Sequence, residues 1–373
     1  MDVTPSSAVE KLGFTQILAR LDDLLISEPG RDRLRNIRPA GSVDWLRSEL
    51  ERVTQLQEVL RFDDPVPFEP LPDVREYLRR AAPEDAMLDS SQLFETATHL
   101  RTARLVSTYF ERRRQRYPAL HAVCSHLTPL EAIERAVSDA IEPDGRVRDD
   151  ASDELRRIRS LISRRQIQLR ETIQRELRHA ISQGWATEEQ PTIRNGRMVI
   201  PVRAEAKRKL QGFVQDSSAS GQTVYIEPAA CLDLNNELRE LQGDERREVE
   251  RILRRLTASL RAHLDDIRQN TRTLAEMDLL QAKARFSNDL GAVAPVLDTD
   301  AIIDVHNGRN PVLELHFRRS MSASEARSRV VPLHLQLGGD YRTLIITGPN
   351  AGGKTVAMKT VGLFVLMAAH GLP

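Results

Sequence analysis

The sequence predicts a mainly α chain with α+β parts: a helical core, two long antiparallel helices forming an arm, a small β-rich tip, and the opening part of an α/β nucleotide domain. Three observations lead there. Apolar residues recur at steps of three and four over two long stretches rich in Arg, Glu and Gln. Between them lie short runs with strand character and a strong hairpin signal. Near the end of the chain, Gly348-Pro349-Asn350-Ala351-Gly352-Gly353-Lys354-Thr355 fits the phosphate-loop pattern G-x-x-x-x-G-K-[ST].

Residues 1–149 read as the helical core. Ile17, Leu21, Leu24 and Leu25 recur at helical spacing, as do Leu46, Leu50, Val53, Leu56 and Leu60. Pro65, Pro67, Pro70 and Pro72 mark a turn-rich break, and Pro143-Asp144-Gly145 a turn. Further helical patterns fall at 73–82, 89–115 and 129–140.

Residues 150–184 form the first arm helix, with Leu155, Ile158, Ile162, Leu169, Ile173 and Leu177 in one stripe. Residues 232–291 form the second, its stripe running through Leu238, Leu241, Val249, Ile252, Leu256, Leu260, Leu264, Ile267, Leu274 and Met277. One helix of roughly 50 residues would be about 75 Å long. Two such stripes around an insert suggest an antiparallel coiled arm; a pair of ordinary bundle helices is the bland alternative.

Residues 185–231 are the tip. Thr192-Ile193, Met198–Val202, Phe213-Val214 and Thr223–Ile226 read as strands, and Asn195-Gly196 as a tight hairpin turn. Asn235-Asn236 is read as the start of the return helix. Within 190–216, Arg194, Arg197, Arg203, Lys207, Arg208 and Lys209 stand against only Glu205 and Asp216. Cations on strands and a following Ser/Gly-rich turn suit a phosphate backbone. No aromatic ladder accompanies them, so base stacking on single strands is less supported. A solvated hairpin face is the competing reading.

Residues 292–373 open an α/β nucleotide domain. Ala301–Val305 and Val330–Leu337 read as strands, with Asn310-Pro311-Val312-Leu313 between them. Thr343–Thr347 reads as a buried parallel strand before the loop, and Val356–Ala369 as a mostly buried helix after it. In that cradle the glycines bring backbone N–H groups onto phosphates, Lys354 reaches the β- and γ-phosphates, and the Thr355 hydroxyl binds Mg²⁺.

Composition narrows the rest. The 373 residues carry 54 basic and 54 acidic side chains, so global charge names no partner. The two cysteines, Cys124 and Cys231, form no CxxC and fit a reduced compartment. The nine histidines show no metal-ligand spacing. No secretory signal or membrane-length apolar run is present, and a cytoplasmic protein is expected.

With Pro and Asn after its first glycine, Thr347–Thr355 resembles the phosphate loop of MutS proteins. Ser218-Ala219-Ser220-Gly221-Gln222-Thr223-Val224-Tyr225-Ile226-Glu227-Pro228, followed by Asn235-Asn236-Glu237-Leu238, resembles the clamp of the MutS-two subfamily, and Asp149–Arg156 resembles the entry to a MutS lever. The resemblance covers essentially the whole chain. It implies a helical core, lever helices, a β clamp and an ABC-type ATPase domain. It further implies ATP and Mg²⁺ as cofactors, dimerisation through the ATPase domain, and closure around nucleic acid. Branched DNA, with suppression of homologous recombination, and collided ribosomes are the implied partners. Endonuclease activity is implied chiefly for a C-terminal Smr domain. Asn350 would help hold the phosphates, and Val330 and Val331 match the adenine-flanking position, where an aromatic is common in the family. No apolar strand ending in Asp-Glu, no signature loop and no Smr segment follows Thr355, so an N-terminal fragment with an incomplete ATPase domain, unable to turn over ATP alone, is expected. An ATPase of the chromosome-maintenance kind is disfavoured, because there the phosphate loop precedes the arm. A structural coiled-coil protein with a vestigial loop stays open.

Overall fold

The computed structural model describes residues 7–68, 70–349 and 353–373. Among them are fourteen α-helices and six short strands, a mainly α chain with small antiparallel sheets. The chain divides into two compact units, one of residues 1–79, 95–134 and 263–373, the other of residues 80–94 and 135–262.

The first unit is built around α11 (Leu264–Leu290). Over residues 273–287 this helix has no exposed position, and polar and apolar side chains are both drawn inside, which is why that stretch shows no single apolar stripe. One side, with Leu274, Met277, Leu280 and Ala284, packs on Val53, Leu56 and Val59 of α4 (Val43–Phe62), on Val106 and Phe110 of α6 (Ser90–Glu111), and on Leu120 and Val123 of α7 (Pro118–Cys124). Another side, with Leu279, Ala282, Phe286 and Leu290, meets Phe14, Ile17 and Leu21 of α2 (Phe14–Leu24). Asp278 of α11 accepts bonds from the Ser27 hydroxyl at 2.6 Å and the Ser27 N–H at 2.9 Å, fixing the N-cap of α3 (Glu28–Arg35). Burial raises that carboxyl above the usual range. The unit's two strands, β5 (Ile303–Gly308) and β6 (Leu333–Leu337), pair antiparallel. Between them lie α12 (Pro311–Phe317), opened by the Asn310–Pro311 pair, and α13 (Ala323–Arg329).

The second unit holds the arm and tip. Helix α9 (Asp153–Ser182) runs antiparallel to α10 (Leu232–Arg261). The register is visible in cross-pairs: Ser152 to Glu248 at 2.6 Å, Arg159 to Glu245 at 2.8 Å, and Arg165 to Glu237 at 2.7 Å. Hydrogen bonds from Arg251 and Ser152 hold the Glu248 carboxyl down to about 2. Each helix has 30 residues, about 45 Å of length. At the end of α9, four strands pair antiparallel in the order β1-β2-β4-β3: β1 (Thr192–Arg194), β2 (Arg197–Arg203), β3 (Gly212–Ser217) and β4 (Thr223–Pro228). Ile200, Val202, Val224 and Ile226 share the face that packs on Ile173, Leu177 and Ala180 of α9. Asn195 and Gly196 turn the first hairpin with φ of 53° and 73°, the left-handed pair a type I′ turn requires.

Three expectations are corrected here. The stripe over 232–291 is not one helix: α10 ends at Arg261, α11 starts at Leu264, and α11 is a core helix rather than an arm. The break is hidden because Leu260, Leu264 and Ile267 keep helical spacing across it. Asn235 and Asn236 lie inside α10, which starts at Leu232. Thr343–Thr347 is not a strand, and Ile345 is 81% exposed. A parallel strand needs bonded neighbours and covered faces; β5 and β6, the strands described in this part of the chain, bond to each other instead.

Candidate nucleic-acid interface and phosphate loop

In the tip, the connection from β2 to β3 is held by two apolar anchors. Ala206 and Leu210 are buried in the cluster formed by the sheet and α9. The turn between them is closed by bonds from Lys207 N–H to the Ala204 carbonyl at 3.3 Å and from Lys209 N–H to the Ala206 carbonyl at 2.9 Å. Lys207, Arg208 and Lys209 therefore face water as a fixed basic turn. Arg203, at the end of β2, is exposed as well. Among the described residues none of the four has an ion-pair partner, unlike Arg157, Arg159, Arg165 and Arg247 of the arm. The Ala204 N–H donates to the Gln222 carbonyl at 2.9 Å, joining this turn to the Ser217–Gln222 loop. That loop is itself pinned by Gly221 N–H on the Ser218 carbonyl and Thr223 N–H on Ser218 Oγ.

Two of the six expected cations serve another purpose. Arg197 donates from Nη1 to Glu227 Oε1 at 2.6 Å and from Nη2 to Asn236 Oδ1 at 2.7 Å. Glu227 is 0% exposed and also accepts from Asn235 Nδ2 at 2.9 Å and Gln215 Nε2 at 2.6 Å. Arg197 is thus the counter-charge of a buried carboxylate and is not free for a phosphate. Arg194 lies over the Tyr225 ring, 4.3 Å from its centroid, and faces Asp216 at 3.5 Å. Its charge is partly offset, so the expected row of six reduces to a group of four. The sequence reading missed Glu227, Asn235 and Gln215 as a network; the available signal was a glutamate inside an otherwise apolar strand.

The phosphate loop belongs to the other unit. Asn350, Ala351 and Gly352 lie outside the described residues. Gly348 has φ of 142° and Gly353 φ of 82°, conformations that favour glycine at both ends of the loop. Lys354 Nζ donates to the Gly348 carbonyl, bridging those ends. Pro349 follows Gly348, and Thr355 is exposed on the first turn of α14 (Lys354–Ala369). That helix is not mostly buried: Val356, Met358 and Val365 are exposed, while Leu363, Leu366 and Met367 pack on the core. Val330 is buried at the end of α13 and Val331 is exposed. Glycine freedom, a lysine across the loop and a hydroxyl on the first helical turn fit a nucleotide's phosphates. One hydroxyl is a single Mg²⁺ ligand, and among the described residues no three His, Cys, Asp or Glu gather where they could hold a metal. No described helix is long and apolar enough to cross a membrane.

No protein-family model matches the chain. Curated proteins do. The chain is 37% identical over 365 residues to the endonuclease MutS2 of Pelotomaculum thermopropionicum, covering 98% of this chain and 45% of that protein. It is 34% identical over 363 residues to the endonuclease MutS2 of Alkaliphilus oremlandii, covering 97% and 44%, and 35% identical over 367 residues to that of Pediococcus pentosaceus, covering 98% and 45%. The chain therefore spans less than half the length of the curated relatives it matches.

Proposed function

Because the chain belongs to the MutS2 family, we propose that it is the part of an ATP-gated nucleic-acid clamp that carries the core, the arm, the gripping tip and the phosphate loop. The observation that carries this reading is the basic turn Lys207–Lys209. It is fixed by buried Ala206 and Leu210, outnumbers its one neighbouring acid, Glu205, without pairing to it, and continues into Arg203 and the Ser217–Gln222 loop. Cations spaced on a rigid support attract a phosphate backbone without reading its sequence. DNA with branches is the partner we favour; the collided ribosome offers the same chemistry and is separated from it by the test.

Each residue has a role in this reading. Arg203, Lys207, Arg208 and Lys209 take phosphates. Arg197 and Glu227 keep the sheet in register beneath them. In the other unit, Gly348–Gly353 with Lys354 would cradle the phosphates of ATP, and Thr355 would hold Mg²⁺, the ion that offsets their charge. Val330 and Val331 would flank the base. Hydrolysis, the homodimer and the endonuclease activity named for the relatives belong to this proposal for the full-length protein.

Binding of the chain to a four-way DNA junction, a linear duplex and purified ribosomes, titrated against salt, tests it. On DNA, the variant Lys207→Ala/Arg208→Ala/Lys209→Ala should flatten the plot of log affinity against log salt by about 0.9 for each phosphate it no longer neutralises. An unchanged slope and affinity on all three partners would remove the tip from the interface.

A further inference from the structure

Helix α14 is tethered at its middle and at its last turn but not at its phosphate end. At mid-length, Thr360 Oγ1 accepts from Asn310 Nδ2 at 2.9 Å in a buried setting. A Cβ on Gly362 would stand 3.0 Å from Leu12, so the helix backbone lies close against that side chain. At its last turn the Ala40 N–H donates to the Ala369 carbonyl at 2.8 Å. Beneath that turn Lys283 of α11, 1% exposed, donates from Nζ to the His370 carbonyl at 3.0 Å and to Glu49 Oε1 of α4 at 2.7 Å. The first turn, by contrast, leaves Thr355, Val356 and Met358 in solvent.

A buried ion pair is a costly way to join three helices. Apolar residues of similar size often give equal or greater stability. What Lys283 supplies and an apolar residue does not is a directed bond to the carbonyl of His370, the C-cap of α14, anchored by a second element. Resting on the reading of Gly348–Thr355 as a nucleotide site, we infer that the last turn of α14 is a coupling joint: Lys283, oriented by Glu49, passes the state of the phosphate loop into α4 and α11. A helix of 16 residues is a rod of about 24 Å, and its bolted far end transmits displacement of its free end. Lys283 is a positioning residue, since it touches neither nucleotide nor nucleic acid. In sequence, α11 follows α10 after only Ala262 and His263, so α11 is where such a signal would enter the arm.

The test is amide hydrogen exchange in the full-length protein, with and without ADP or a slowly hydrolysed ATP analogue. The parent should change protection in α4 and α11 when nucleotide binds. The variant Glu49→Leu/Lys283→Met, which leaves no unpaired buried charge, should bind a fluorescent nucleotide within twofold of the parent and lose that change. Where that double variant does not fold, Ala40→Pro, which deletes the other tether to the same turn, is read by the same experiment and should shrink the change at least twofold. Retention of the parent's pattern in the variants overturns the joint, as does a parent that binds nucleotide without any change in α4 or α11. A parent that binds no nucleotide removes the phosphate-site reading on which the joint rests.

Discussion

Replacing Arg197 by Met separates a structural arginine from a phosphate-binding one. Glu227 is fully buried and accepts from three donors, of which only Arg197 carries charge. Arg197 itself is 16% exposed at its side chain. Removing the guanidinium leaves a buried carboxylate with two neutral amides, and breaking a buried pair from one side costs about 3–5 kcal/mol. Exchanging both partners, Arg197→Met/Glu227→Gln, removes the charge and keeps the Asn235 contact on the remaining oxygen, while the Gln215 amide turns its own oxygen to the new N–H, so most of that loss should return. The chain's two tryptophans make the assay specific. Trp185 is partly buried in the tip and stacks edge-on with His179, whereas Trp45 belongs to the other unit. In a Trp45→Phe background, urea unfolding followed by Trp185 emission reports on the tip. The single variant should lose roughly 3 kcal/mol and the double variant under about 1 kcal/mol, with the salt slope for DNA unchanged in both. A single variant as stable as its parent, with a slope reduced by about 0.9, would show that Arg197 meets phosphate and that the buried-pair argument is wrong.

Two other outcomes are expected. His99 is buried, its Nε2 lies 3.1 Å from Thr271 Oγ1, and desolvation lowers its pKa from 6.5 to about 4. The folded state holds the ring neutral while the unfolded chain binds a proton below 6.5. Stability is therefore complete above about pH 6.5 and falls toward pH 4, by about 2 kcal/mol at pH 5; a His99→Gln variant should flatten the pH dependence of the urea midpoint over that window. Gly212 begins β3 where an added Cβ would stand 2.2 Å from the Glu227 carbonyl oxygen. Gly212→Ala should push β3 off β4 and cost about 1–3 kcal/mol by the Trp185 assay; an unperturbed midpoint would mean the edge strand is looser than its register implies.

Features set by local pattern were legible, and those set by distant neighbours were not. The α9 stripe from Leu155 to Leu177 became a helix, and Asn195-Gly196 became the hairpin turn, because helical period and left-handed backbone preference are properties of adjacent residues. Thr343–Thr347 has the composition of a buried strand, but a strand is made by the chains bonded to it, and composition does not supply them. The gap at Ala262 and His263 is silent in the sequence because the apolar spacing continues through it.

The same distinction decides which cations are available to a ligand. Counting charge over 190–216 treats Arg197 and Lys207 alike. Arg197 stands on a strand within reach of a glutamate thirty residues later, and desolvation of that glutamate commits the arginine. Lys207, Arg208 and Lys209 stand in a turn whose apolar neighbours on both sides are drawn inward, which turns the three side chains out. Lys283 is the opposite case: a fully buried cation on α11, legible only once Glu49 and the His370 carbonyl are beside it. The Lys207–Lys209 turn is thus left free to bind by the apolar anchors that flank it in sequence, whereas Arg197 and Lys283 are committed by an acid or a carbonyl that reaches them through the fold.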